Sequence, residues 1–126
     1  IDATIVVNNV MHNTLWVPGH FHFYLVLGLV AMLLAFAYHL AKSRGGLQGH
    51  GLDALSFWTF AAAGLGLAGS FLLSGRHSIP RRWAVHLPEW VPYDRIGSVF
   101  AALVVIAVLV FTVRFLMRLG AMARPA

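Results

Sequence analysis

Two histidines, His20 and His22, stand two positions apart in the run Val17-Pro-Gly-His-Phe-His22, at the head of a long apolar stretch. Residues two apart on a helix point about 200° away from each other, so these imidazoles face opposite sides and cannot share one metal. They can serve two cofactors. A histidine inside a membrane span is costly unless it has a partner, and neutral imidazole is a common axial ligand of heme iron. Two hemes flanking one helix, with Phe21 and a few backbone bonds between them, would form a short electron relay.

The element that must hold these histidines is a membrane helix. The chain has 126 residues, of which 60% are hydrophobic and only 10% charged, and its mean hydropathy is +0.78. Such a composition does not suit a small soluble domain. Three apolar stretches, Phe21 to Leu40, Ala54 to Leu73 and Ile96 to Val113, each reach the roughly 18 to 20 residues that cross a bilayer core of about 30 Å. A soluble bundle would show polar faces at helical period, and these stretches carry almost none. The organisation expected is all-α and integral to a membrane. An interfacial lead-in covers residues 1–19, spans cover 20–40, 54–73 and 96–113, and an interfacial loop covers 74–95.

Formal charge is +5, but the nine basic residues lie in loops and at span ends rather than in a patch with interleaved aromatics. That argues against nucleic acid as a partner and for membrane topology and local anion binding. The absence of cysteine removes disulfides, thiolate ligands, iron–sulfur clusters and thiol nucleophiles, leaving histidine as the main metal ligand. The sequence begins at Ile1, and its first residues lack the charged start and cleavage site of a signal peptide. It reads as a piece of something longer.

Asn8-Asn9 and Pro18-Gly19 break periodicity before the first span, and Pro18 suits the first turn of the helix that carries His20. Lys42-Ser-Arg-Gly-Gly46 ends that helix, with cations and glycines where a C-terminus favours them. The short loop 41–53 returns the second span antiparallel beside the first. Gly64, Gly66 and Gly69, among Ala61 to Ala63, Ala68 and Ser70, make a small-residue surface on which helices or a flat macrocycle could approach closely. Close helix packing is the simpler reading. One end of the spans carries Lys42, Arg44, Arg114, Arg118 and Arg124, and the other Arg76, Arg81, Arg82 and Arg95. This asymmetry places loop 41–53 and the C-terminus inside.

His12-Asn13-Thr14 lies just upstream of the first span, at the membrane surface. His12 could hydrogen-bond heme propionates or a water cluster. Arg81-Arg82 follows Pro80 in the loop on the same side. Adjacent guanidiniums repel, and an anion such as a propionate would offset that while accepting bidentate hydrogen bonds. Taken singly, both features also fit ordinary interfacial residues.

Together they form a pattern. His12-Asn-Thr-Leu-Trp-Val-Pro-Gly-His-Phe-His22 closely resembles a signature of subunit I of heme–copper oxygen reductases, and Ile79-Pro-Arg-Arg82 resembles that family's propionate-binding arginine pair. The wording of the motif is most similar to the B family of thermophilic bacteria and archaea. The resemblance covers nearly the whole chain as the last helices of a twelve-helix core. It implies that His20 is the axial ligand of a high-spin, oxygen-reducing heme and His22 an axial ligand of a low-spin heme. It also implies that His12 and Asn13 lie near the high-spin heme propionates with Arg81 and Arg82. Where the A family has an aspartate that helps bind magnesium, this chain has Asn13, so a magnesium site is not carried over. Asn8 stands where some B-family members carry an acid, and no proton-loading role transfers to it.

The reaction the resemblance implies is reduction of oxygen to water coupled to proton translocation. Its two hemes need a copper beside the high-spin heme, held by histidines outside this chain. The implied partners are the remainder of subunit I, a subunit II with a dinuclear copper centre, cytochrome c or a similar electron donor, and the lipid of a prokaryotic plasma membrane. A nitric oxide reductase-like member of the same superfamily, a stand-alone heme-binding anchor and a heme-free structural subunit are the rival readings. The anchor would want matching histidines on another span, and the second and third spans contain none. His39, His50, His77 and His86 read as interfacial or solvent contacts. Tyr24 shares a helical face with His20 and reads as packing, and Trp58, Trp83 and Trp90 suit span packing or an aromatic belt.

Overall fold

A computed structural model describes residues 4–43 and 51–122. Arg44, His50 and Arg124, which figure in the charge and histidine readings above, lie outside the described residues. A short helix, Ile5–Met11, precedes three long ones: Trp16–Ser43, Gly51–Arg76 and Val91–Ala121, the last continuing to Met122. All three are long and apolar enough to cross a membrane. Each outruns its apolar stretch, because helix formation needs backbone hydrogen bonds and not hydrophobicity, and polar ends can extend into the interface.

The first long helix starts where Thr14 Oγ1 accepts the Trp16 N–H at 3.2 Å and donates to Met11 O at 2.7 Å. Pro18 falls in the first turn, where its missing N–H breaks no helical bond. The helix is α over Trp16–His22, widens to a π-helix over Phe23–Val30, and returns to α over Ala31–Ser43. The histidine pair therefore sits in the regular α part, so its opposed facing holds. The widened turns, which hydrophobic patterning does not reveal, begin immediately after His22.

The second helix is the least hydropathic of the three, 1.5 against 2.1 and 2.8, and is the one most buried by its neighbours. Lipid tails are as apolar as leucine, so its position follows from close van der Waals packing of small residues rather than from hydrophobicity. A Cβ on Gly64 would lie 2.7 Å from Leu27 of the first helix, and one on Gly66 would lie 2.3 Å from the Phe100 ring of the third. Helix packing thus accounts for these two glycines, while Gly69 faces no atom within 4 Å. The approach at Gly75 is as close, and there it is backbone that a Cβ would meet, the Trp16 nitrogen at 2.3 Å. Phe60, Ala63, Leu67, Ala68 and Ala107 form the packed seam, whereas Met32, Phe36, Ile106 and Met117 face outward.

These contacts make consecutive helices antiparallel, which sets two polar ends. At one end the second helix stops in a Schellman motif: Ile79 N–H donates to Ser74 O at 3.1 Å and Ser78 N–H to Gly75 O at 3.0 Å, with Ser78 left-handed at φ 57°. Ile79 is fully buried. At the other end Asp53, in the first turn of the second helix, accepts hydrogen bonds from Arg118 Nη1 at 2.6 Å and from the Tyr38 hydroxyl at 3.2 Å. Arg114 Nε lies 3.5 Å from its other oxygen. One carboxylate thereby ties all three helices together.

Candidate functional site

The site assembles at the Schellman end. Ile79, presented by the helix stop, accepts the Leu15 N–H on its carbonyl at 2.9 Å. Thr14 and Pro80 then form an isolated antiparallel bridge, and the Arg81 N–H donates to Asn13 O at 2.8 Å. Arg81 Nη2 also donates to Asn13 Oδ1 at 3.1 Å. The tripeptide before the first long helix and the arginine pair, remote in sequence, become neighbours. Pro80 suits an isolated bridge because it lacks the donor that a continuing ladder would require.

Two residues at this junction hold left-handed backbone, Asn13 at φ 67° and Arg82 at φ 63°. Asparagine tolerates that region and arginine does so at a cost, so the conformation marks a place where surrounding contacts dictate the chain. Arg81 Nε is buried without a hydrogen-bond partner. A guanidinium donor in that state suits an anion such as a carboxylate. Arg82 and His12 are exposed.

From Trp16, helical rise places His20 and His22 about 6 and 9 Å further along the axis. The two have different surroundings. His20 is exposed, its ring edge against Tyr24 with centroids 4.8 Å apart. His22 is half-buried, 5.2 Å from the Phe71 ring of the second helix, so it does not simply face lipid. Its Nδ1 lies 2.6 Å from Pro18 O. A carbonyl only accepts, so Nδ1 is the donor, which in the neutral ring leaves the lone pair on Nε2, the arrangement of a metal-ligating imidazole with an oriented ring. Phe21 stands edge-on to His22 at 5.6 Å. Among the described residues no three His, Asp or Glu side chains cluster, so each histidine is a single donor here.

The residues present suit a heme edge: a ring-oriented imidazole, a second imidazole facing away from it, and, from the loop after the second helix, an orphaned guanidinium donor beside the start of the histidine helix. Sequence reasoning missed two groupings. His86 is paired with Asp94 and also bonds Trp83 O at 3.1 Å, rather than being a bare solvent contact, and His77 packs on Tyr93 at 4.9 Å. The Asp53 cluster was missed too. Its signal was an acid at the start of an apolar stretch and two arginines four apart, Arg114 and Arg118, on one helical face.

Comparison with known proteins shows which family the chain is similar to. The chain is 29% identical over 111 residues to cytochrome c oxidase polypeptide 1 of Halobacterium salinarum, covering 86% of this chain and 18% of that protein. It is 33% identical over 105 residues to the heme-copper oxidase subunit I+III of Aeropyrum pernix, covering 79% and 12%. Against cytochrome c oxidase subunit 1 of Thermus thermophilus it is 26% identical over 121 residues, covering 92% and 22%. The chain thus spans about a fifth or less of the length of these relatives. No solved structure matches it. The profile of cytochrome c and quinol oxidase polypeptide I matches residues 1–103, and the chain, an all-α integral membrane protein, belongs to that family.

Proposed function

We propose that this chain forms the last helices of the catalytic subunit of a respiratory terminal oxidase, with His20 and His22 as axial ligands of a high-spin and a low-spin heme. The observation that carries the reading is the clasp between Asn13 and Arg81 at the start of the histidine helix, with Arg81 Nε buried and awaiting an acceptor. Bound there, hemes would supply electron transfer and, with a copper held outside these residues, oxygen reduction to water.

The chain's own residues do the positioning. Pro18 O holds the His22 ring and keeps its Nε2 lone pair available to a ligated iron. Phe71 limits its rotation. Tyr24 does the same for His20 from the opposite side. Arg81 and Arg82, with Asn13 and His12, bind the propionates at the interface, and their positive charge favours the electron-rich state of a neighbouring cofactor. Phe21, between the histidines in sequence and edge-on to the His22 ring, lies on the shortest covalent path between the two sites.

In this reading the partners are the remainder of subunit I, a subunit II with a dinuclear copper centre and a cytochrome c-like donor, in a prokaryotic plasma membrane. The test is intact-mass analysis of the native complex together with its reduced-minus-oxidised visible spectrum and its oxygen and nitric oxide consumption. Two spectrally distinct hemes in an oxygen-consuming complex are expected. A heme-free complex, or one consuming nitric oxide alone, overturns the proposal.

A further inference from the structure

The end of the helices away from the histidines holds a groove of about 520 Å³ among the first, second and third long helices. Its walls are apolar, including Ala31, Ala35, Phe60 and Phe111, while Tyr38, Lys42 and Asp53 lie at one end. On the first helix it runs from Ala31 to Lys42, which at 1.5 Å per residue is about 16 Å. That is roughly half of a 30 Å hydrocarbon core, the depth of a single leaflet. Its volume falls within the range of small-molecule sites, about 300 to 1,000 Å³.

The charge at the mouth is unbalanced. Lys42, Arg114 and Arg118 gather at the end where Asp53 alone, among the described residues, supplies a carboxylate, since Glu89 and Asp94 lie at the opposite end. Asp53 already accepts from Arg118 and Tyr38. Arg114 Nε is buried and, although near Asp53, makes no hydrogen bond. Among the described residues this end thus sets three cations against one carboxylate, and Arg114 Nε has no hydrogen-bond acceptor. An apolar slot one leaflet deep, opening at a cationic rim at the end of a membrane span, has the shape and charge of an anionic glycerophospholipid.

We infer that this groove is a binding site for one anionic phospholipid, with an acyl chain between the first and second long helices and the phosphate at the rim formed by Lys42 and the Asp53–Arg114–Arg118 cluster. Acyl burial supplies non-directional attraction, and the excess positive charge selects against neutral headgroups. The site rests on the membrane-spanning fold and not on the heme assignment, so either can fail without the other.

The experiment uses the intact membrane complex and phosphatidylglycerol carrying a diazirine in its acyl chain. Illumination is expected to label peptides covering 31–38 and 57–60 above all other lipid-facing segments of this chain. Unlabelled phosphatidylglycerol should compete at least fivefold better than phosphatidylcholine of the same chain length. Lys42→Glu, which reverses the rim charge, and Ala35→Trp, which fills the slot, should each cut labelling at least fivefold while the visible spectrum stays unchanged. Labelling no stronger than elsewhere, as when another helix of the complex covers the groove, overturns the inference. So does equal competition by phosphatidylcholine. The wild-type labelling decides the matter even if a variant fails to assemble.

Discussion

Asn13 and Arg81 are joined twice, main chain to main chain at 2.8 Å and side chain to side chain at 3.1 Å, across 68 residues of sequence. The first bond fixes where the arginine backbone runs and the second fixes one arm of its fork. The adjoining Nε is left buried and unpaired. A neutral amide makes this geometry possible, because it orients the guanidinium without cancelling its charge as a carboxylate would.

Asn13→Leu removes the side-chain acceptor and places a bulky residue in left-handed backbone. The expected loss is about 1 to 3 kcal/mol, combining one hydrogen bond with the conformational cost. It should appear as a lower midpoint for heme release on denaturation of the complex. Asn13→Gly, which keeps the backbone permissive, should lose less than half as much, and equal losses would mean the side-chain bond contributes all of it.

His20 and His22 should bind different irons. His22→Ala is expected to abolish the low-spin signal while leaving ligand binding at the high-spin heme at least partly intact, and His20→Ala should do the reverse. If both substitutions remove one spectral species and spare the other, the two-heme assignment is wrong.

In the proposed assignment Arg82→Gln removes a positive charge beside a heme propionate, so the oxidised heme would be less disfavoured and its midpoint potential should fall. Charge-assisted bonds of this kind contribute roughly 1.5 to 3 kcal/mol, enough to move a redox titration clearly. Unchanged potentials in both Arg81→Gln and Arg82→Gln would leave the pair as ordinary interfacial cations.

Gly75 and Ser78, three residues apart, should respond oppositely to exchange. Gly75→Ala forces a Cβ into the Trp16 backbone and should cost about 1 to 3 kcal/mol by overpacking. Ser78→Gly relieves a left-handed serine at the position where Schellman motifs favour glycine, and should stabilise by up to about 1 kcal/mol. Denaturation midpoints of the two variant complexes check both signs.

Asp53→Asn removes the carboxylate charge that Arg118 and Arg114 share inside a three-helix junction. Removing one partner of a buried pair costs on the order of 3 to 5 kcal/mol. The loss should be at the lower end, because the two arginine side chains remain about a quarter exposed. Detergent-denaturation midpoints should fall with the heme spectrum unaltered, since the cluster is at the opposite end. A shifted spectrum would show that the two ends are coupled.

What the sequence determined by itself is whatever depends on neighbours along one helix. Hydropathy over 18 or more residues marked three membrane helices, and the two-residue spacing of His20 and His22 set their opposed facing, because both follow from the helical repeat. The π-helical stretch over Phe23–Val30 was not legible, since widening a turn leaves composition unchanged. The bridge of Thr14 to Pro80, the bonding of Asn13 to Arg81 and the sharing of Asp53 among three helices were decided by tertiary structure alone. Each is a hydrogen bond between segments remote in sequence, and its partners are chosen by how closely the helices pack. Gly64, Gly66 and Gly75 allow the approach, and only in the folded chain does it become visible that Gly69, the same residue type, meets nothing.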